Sequence, residues 1–310
     1  MATIVVTGAT GNIGRPLVEL LSRGPDEVGA VSRGTRTGVG RARHVPADLT
    51  DPASLAPALD GADAVFLLVA GGGEGVDPDG LVEVVAASGA HRIVLVSSQL
   101  AGTRPTAPSH EHLRRFEAAV QGSGLEWTIL RPSGFHSNAL MWAPSVRSAR
   151  TIAAPFGDVA LPWVDPADIA AMAAAALRGD GHAGRTYVLT GPEAVSPRQR
   201  VAAIGSAIGE PVRFVELSRE AAREQLLAIM PAVVADGTLA VLGEPLPVEQ
   251  EVGTTSRACS GGRPVPSSTG PAGTPLTSAD AVRGSVTGAS RRDPRSQRGQ
   301  RVASIQRSTS

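Results

Sequence analysis

Gly8, Gly11 and Gly14 stand three residues apart, between a β-branched run, Thr3–Thr7, and the helical spacing of Ile13, Leu17, Leu20 and Leu21. In a strand–turn–helix setting each glycine has its own task. The first makes a tight turn, the second lets a pyrophosphate approach the backbone, and the third lets helix and strand pack closely. The helix amino terminus then presents free N–H groups and partial positive charge to the phosphates. Thr10, Asn12 and Ile13 complete the loop, and Leu68 and Val69, at the end of a later strand, are assigned to the same dinucleotide site.

The end of the second strand candidate selects between dinucleotides. A site for NAD carries Asp or Glu there, to bind the ribose diol. Here the stretch reads Gly29-Ala30-Val31-Ser32-Arg33-Gly34, with no acid. Ser32 and Arg33 stand where a 2′-phosphate would lie, and a guanidinium binds phosphate in bidentate fashion. NADP(H) is therefore expected in preference to NAD(H), with Asp48 and Leu49 meeting the adenine. The competing reading of Arg33 is a solvated surface residue.

Strands alternating with helices must position these residues. Strand patterns fall at 27–31, 43–46, 64–69, 92–97 and 126–130, with helical stretches at 52–59, 80–88 and 109–121 between them. Continuous apolar runs such as Val65-Phe66-Leu67-Leu68-Val69 suit a sheet covered on both faces. The pattern predicts an α/β fold, a doubly wound parallel sheet, over residues 1–132. After Pro132 it loosens into a Pro-rich loop. It resumes with a helix at 167–177, a strand at 185–189 and helices near 197–208 and 219–229, expected to form a smaller substrate lobe, 133–252, with return elements to the sheet.

Composition excludes several chemistries. All 29 basic residues are arginine, so there is no lysine for a Schiff base, a P-loop or a Tyr/Lys proton relay. One cysteine and six scattered histidines argue against a disulfide framework and a metal site. With no 18-residue apolar run and no basic leader, the expected protein is cytoplasmic, a monomer or homodimer, with a small-molecule substrate and neither nucleic acid nor membrane as partner.

Candidate catalytic groups are few. Ser97 and Ser98 end the fifth strand, where either hydroxyl could orient a carbonyl; the alternative is bonding to local backbone. His112 is a candidate acid or base. His110 and His112, two residues apart, face different sides of a helix and make a poor metal pair, and an exposed first-turn position is the competing reading. Phe135, Met141, Trp142, Phe156 and Trp163 concentrate apolar bulk in one stretch. Phe135, Asn138, Trp142 and Trp163 are therefore candidates for the substrate pocket, or alternatively for the core of the small lobe. Asp165 or Asp168 is expected to cap the helix that follows.

Thr7-Gly8-Ala9-Thr10-Gly11-Asn12-Ile13-Gly14, the Ser97-Ser98 strand end, Ser123-Gly124-Leu125-Glu126-Trp127-Thr128-Ile129-Leu130-Arg131-Pro132 and Tyr187-Val188-Leu189-Thr190-Gly191-Pro192-Glu193 together resemble NmrA-like proteins, atypical short-chain dehydrogenases/reductases. The resemblance covers about residues 1–250. It implies a Rossmann fold, with the loop after Arg131-Pro132 lining a cleft beside the nicotinamide. It also implies one of two roles: an NADPH-dependent reductase, or a non-catalytic NADP(H)-sensing regulator. By spacing, the usual Tyr and Lys slots hold Ser109 and Leu113. Quinone-like acceptors need little enzyme acid catalysis, so the missing relay favours a reductase of a small apolar aromatic acceptor, a quinone or polyketide-like carbonyl.

The neutral total charge hides an asymmetry. Residues 1–252 hold 20 Arg against 27 Asp plus Glu, a net of −7, and residues 253–310 hold nine Arg against two Asp, a net of +7. The last 58 residues include 11 Ser, 8 Gly, 7 Thr and 5 Pro, a composition that cannot bury a core. Proteins of the resembled family end in a Gly-Arg-Pro-Ala-Arg-Pro-Phe segment that is missing here. Back-translated and read two bases later, Thr254–Asp280 can give D-V-A-R-V-L-G-R-P-A-R-P-F-V-D-W-A-R-G-H-A-A-D-F-R and then a stop. Residues 253–310 are therefore expected to be an unstructured, frame-shifted translation; the alternative is a Ser/Arg-rich extension that binds an anionic partner.

Overall fold

The computed structural model describes residues 1–34, 41–69, 73 and 75–253. Among them nine strands form: β1 (Thr3–Val6), β2 (Glu27–Ser32), β3 (Arg43–Pro46), β4 (Ala64–Leu67), β5 (Arg92–Val96), β6 (Glu126–Pro132), β7 (Thr151–Pro155), β8 (Arg185–Leu189) and β9 (Arg213–Leu217). Seven make one sheet in the order β3-β2-β1-β4-β5-β6-β8, with every neighbouring pair parallel. From β1 the chain winds outward to β3, then crosses to β4 on the other side. The crevice above the carboxyl ends of β1 and β4 is thus the topological switch point, where open α/β sheets bind ligands.

Successive side chains of a strand point to opposite faces, and both faces are covered. Ile4, Val6, Ala30, Phe66, Val94 and Leu130 pack under α1 (Gly14–Ser22) and α7 (Pro166–Arg178). Val5, Val31, Val65, Leu67, Ile93 and Ile129 pack against α2 (Ala56–Leu59), α3 (Pro78–Ala87) and α5 (Glu111–Gly122). This double covering is why the strands read as unbroken apolar runs.

Beyond β6 the expected loop is partly ordered. A 3-10 turn (His136–Trp142) leads into α6 (Ala143–Ala149) and β7, which pairs in parallel with β9. With α8 (Pro197–Ile208) these build a small core of Val146, Ile152, Val201 and Ile204. Two elements of this stretch return to the main sheet. The α7 helix packs on α1, and β8 pairs with β6, so both complete the main sheet layer. Burial explains the return: eight of the thirteen α7 residues are buried, more surface than a two-stranded sheet could cover.

Helix α9 (Arg219–Leu227) and α10 (Ala232–Gly243) follow, and a strap to Gly253 closes the described chain. The strap is fastened by Glu249, whose buried carboxylate accepts from Arg104 Nε at 2.8 Å and Thr103 Oγ1 at 2.7 Å, and by Gly253 N, which donates to Thr190 Oγ1 at 2.6 Å. Residues 254–310, and with them the expected tail, lie outside the described residues.

Candidate functional site

Four capped helix starts contrast with the glycine loop. Asp77, Asp165, Ser196 and Ser218 each cap a helix by accepting a backbone N–H, and three of these four helices begin with proline. Asp165 accepts from Ala167 N at 2.8 Å, so the capping expected of Asp165 or Asp168 falls to Asp165. Helix α1 has neither device. Its N-cap is Ile13, with no side-chain bond and no acid in the first turn. Arg15 N donates to Gly11 O at 3.1 Å, and no side chain caps the rest of the turn, which suits it to an anion.

Gly8 has φ +61°, and a Cβ on it would lie 3.1 Å from Leu68 Cδ2, so Leu68 forms the floor under the turn. A Cβ on Gly14 would run into the Gly8 carbonyl, 2.7 Å from its carbon and 2.8 Å from Ala9 Cα. Gly11 N donates to Gly8 O at 2.9 Å, and a Cβ on Gly11 would meet only that oxygen, at 3.2 Å. One side of Gly11 is therefore open to a ligand. Thr10 and Asn12 are exposed on the same turn, and Asn12 Nδ2 donates to Ser137 Oγ at 3.2 Å across the crevice. Val69 packs at the edge of the core beyond β4.

At the end of β2, Arg33 is exposed and Ser32 Oγ lies 3.1 Å from His44 Nε2 of β3. His44 was not legible as a site residue, because only the β2–β3 register brings it beside Ser32. The Asp48 carboxylate accepts from Thr50 N at 3.0 Å. That bond, with Arg33 a smaller influence, holds its pKa below the ordinary aspartate value. Leu49 is half-buried beside it.

The catalytic candidates separate. Ser97 is buried and donates to Glu117 Oε1 at 2.5 Å, and Arg131 grips the same carboxylate with Nε at 2.9 Å and Nη2 at 2.6 Å. That hydroxyl is thus engaged by the Glu117–Arg131 ion pair. Ser98 Oγ accepts from Leu100 N at 3.2 Å, capping the short α4 (Gln99–Thr103), and keeps its own proton to donate. His110 and His112 are half-buried rather than exposed. Burial, followed by His112 and then Arg114, pushes His110 down to about 4; burial and then Arg114 also lower His112. Both imidazoles are therefore neutral at pH 7. His112 packs on the loop after β4, 3.0 Å from where a Cβ on Gly73 would lie. Among the described residues no group of three His, Cys, Asp or Glu could hold a metal ion.

The aromatic stretch divides as well. Phe135 is half-buried against the α1–α7 layer, and Asn138 is exposed. Trp163 is wedged between Gly134 and Gly191, donates Nε1 to Val195 O at 3.0 Å, and is buried. Trp142 packs on the small-lobe core. Both indoles present their faces to Arg200, Trp163 at 4.3 Å and Trp142 at 4.9 Å. Helix α10 lies across two of these regions. Its Gly237 sits on Ser109 and its Gly243 on the Phe156 ring, so an almost wholly apolar helix spans from the end of the nucleotide-binding layer to the small lobe.

Asp168 is half-buried in the first turn of α7. Burial and the nearby Asp165 push its carboxyl up to about 6. A raised carboxyl favours the protonated fold, so its stabilisation is complete below about pH 4 and lost as pH rises through 6. Asp168→Asn keeps a neutral isostere. Its melting temperature should gain on the wild type steadily from pH 4 to 7; a constant gap across that range would show that the carboxyl does not titrate there.

A family model described as NAD(P)H-binding matches residues 8–179. The chain is 40% identical over 249 residues to (4-alkanoyl-5-oxo-2,5-dihydrofuran-3-yl)methyl phosphate reductase of Streptomyces griseus, covering 76% of this chain and 84% of that one. It is 32% identical over 253 residues to NAD(P)H azoreductase of Xenophilus azovorans, covering 75% and 84%. Its fold matches that of an NADPH-dependent quinone oxidoreductase of Escherichia coli solved with NADPH, at TM-score 0.71 and 23% identity over 91% of this chain and 99% of that one. Among the described residues no helix is long and apolar enough to cross a membrane. With its uncapped glycine turn at the switch point of a parallel sheet, the chain belongs to the NAD(P)H-binding family.

Proposed function

We propose that the protein is an NADPH-dependent reductase of a small, apolar, conjugated acceptor, a quinone or polyketide-like carbonyl. The observation that carries this reading is the pairing of a dinucleotide cradle with a cleft that has no tuned proton donor. Gly8, Thr10, Gly11, Asn12 and Ile13 would hold the pyrophosphate, Ser32 and Arg33 the 2′-phosphate, and Asp48 and Leu49 the adenine. Leu68 and Val69 would support the nucleotide from below. The bound nicotinamide supplies a hydride.

The chain's own residues position and exclude. Helix α10 and Phe135 keep water from the acceptor, and the Ser98 hydroxyl can donate to an acceptor oxygen. No lysine exists to tune a tyrosine, and His112 is neutral, so proton delivery falls to solvent. That suits an acceptor whose double bond is conjugated to electron-withdrawing groups, because the anion left by hydride addition is delocalised and water protonates it. Quinones, azo compounds and 4-alkanoyl-5-oxo-2,5-dihydrofurans, the compounds in the relatives' names, share this character.

NADPH oxidation over a panel of naphthoquinones, azo dyes and conjugated lactones tests the reading. Turnover with several of them, faster with NADPH than NADH, is expected. Tight NADPH binding with no turnover on any would overturn it in favour of a cofactor-sensing regulator. In the same reading residues 1–132 bind the nucleotide, 133–252 shape the acceptor site, and 253–310, a frame-shifted translation, contribute no functional residue. Resequencing the gene should show a one-frame slip near codon 253; an intact frame through codon 310 refutes that part.

A further inference from the structure

Helix α8 buries Val201, Ile204 and Gly205, and the fourth buried position on that face is an arginine. Arg200 is 2% exposed, as deeply buried as the valine beside it. Burial alone pushes its guanidinium down to about 10, with no carboxylate opposing the shift, so it stays charged at neutral pH. Trp163 and Trp142 stack near it, and Nη2 donates to the His136 carbonyl at 3.3 Å. Nε is buried with no acceptor, and so is Nδ1 of the adjacent His136. Two indole faces and one carbonyl do not replace the hydration of a full charge. An apolar side chain would suit this helix face better, so fold stability does not account for the arginine.

Its place suggests what does. The His136–Trp142 turn lies in front of it, with Asn138 and Met141 exposed. Through Ser137 that turn meets Asn12 of the glycine loop, so the cation stands on the lobe side of the same crevice. We propose that Arg200 is the recognition group for an anionic substituent, a phosphate monoester or carboxylate, on the acceptor. The inference rests on the reductase reading and narrows its substrate class. The indoles fix the plane of the guanidinium fork, which matches such an anion in bidentate fashion. The bond to the His136 carbonyl is the one the anion would take over.

Calorimetry on the NADP⁺-loaded protein, with a naphthoquinone carrying a carboxymethyl arm and with the methyl ester of the same compound, tests this. The wild type should bind the acid at least about tenfold tighter than the ester, and inorganic phosphate should compete with the acid. Arg200→Met should abolish the preference while holding or raising the melting temperature, because replacing an uncompensated buried charge with an apolar side chain is often neutral or stabilising. Equal binding of acid and ester by the wild type overturns the inference. So does a variant that melts lower and weakens both ligands alike, which would make Arg200 a packing clamp. Should that variant fail to fold, phosphate competition in the wild type still decides. NADPH-driven turnover of the ester is read separately: turnover without acid preference leaves the reductase reading standing and removes this one.

Discussion

Gly14→Ala should abolish NADPH binding and lower the melting temperature together. Its methyl would strike the Gly8 carbonyl and come within 2.8 Å of Ala9 Cα, all of it backbone held by β1 and α1. Overpacking typically costs about 1–3 kcal/mol where side chains can yield; here none can, so the helix must move off the strand. A loss of NADPH affinity of at least roughly 100-fold is expected, since each 1.4 kcal/mol is tenfold. Gly11→Ala separates the two effects. Its methyl meets only one carbonyl oxygen but stands on the side open to the ligand, so affinity should fall with little change in melting temperature. Wild-type affinity in Gly14→Ala, by fluorescence titration, would place the dinucleotide elsewhere.

Arg33→Ala should weaken NADPH by about 1.5–3 kcal/mol, the scale of a hydrogen bond to a charged group, and leave NADH nearly unchanged. Arg33 is exposed and Asp48 is a nearby negative charge, so the free protein holds the guanidinium loosely enough for a 2′-phosphate to claim it. Calorimetry with both cofactors checks the difference. An equal loss for NADPH and NADH would mean that Arg33 does not read the phosphate.

Much of the sheet was legible because its strands are β-branched runs closed by turns. The spans 43–46, 185–189 and 197–208 agree end to end with β3, β8 and α8. At α8 the structure adds a capping box, in which Ser196 and Gln199 close the helix start around Pro197. What escaped depends on distant partners. β7 and β9 are short and pair with each other across 62 residues, as in Thr151 with Arg213. Helix α10 is almost wholly apolar and so carries no clear helical period, because one part packs on the 3-10 turn Pro108–His110 and another on α9.

The same division holds at the site. The glycine loop could be read because spacing alone specifies its geometry. The fate of Ser97 could not, since Glu117 and Arg131 reach it from a helix and the neighbouring strand. Trp142 and Trp163 looked like pocket walls while the residue that occupies their faces, Arg200, lay far along the chain. Residue types announced which groups were available; tertiary contacts decided which were already spoken for.

The central claim is hydride transfer from NADPH to a conjugated acceptor with the proton taken from solvent. A single-turnover measurement of NADPH oxidation by a naphthoquinone tests it most directly, using NADPH deuterated at the transferred position and ordinary against heavy water. The account predicts a primary isotope effect from the deuterated cofactor, a solvent isotope effect near unity, and a rate that does not vary between about pH 6.5 and 8. No oxidation in a single turnover would contradict it, and so would a large solvent isotope effect on a rate that titrates with one side chain.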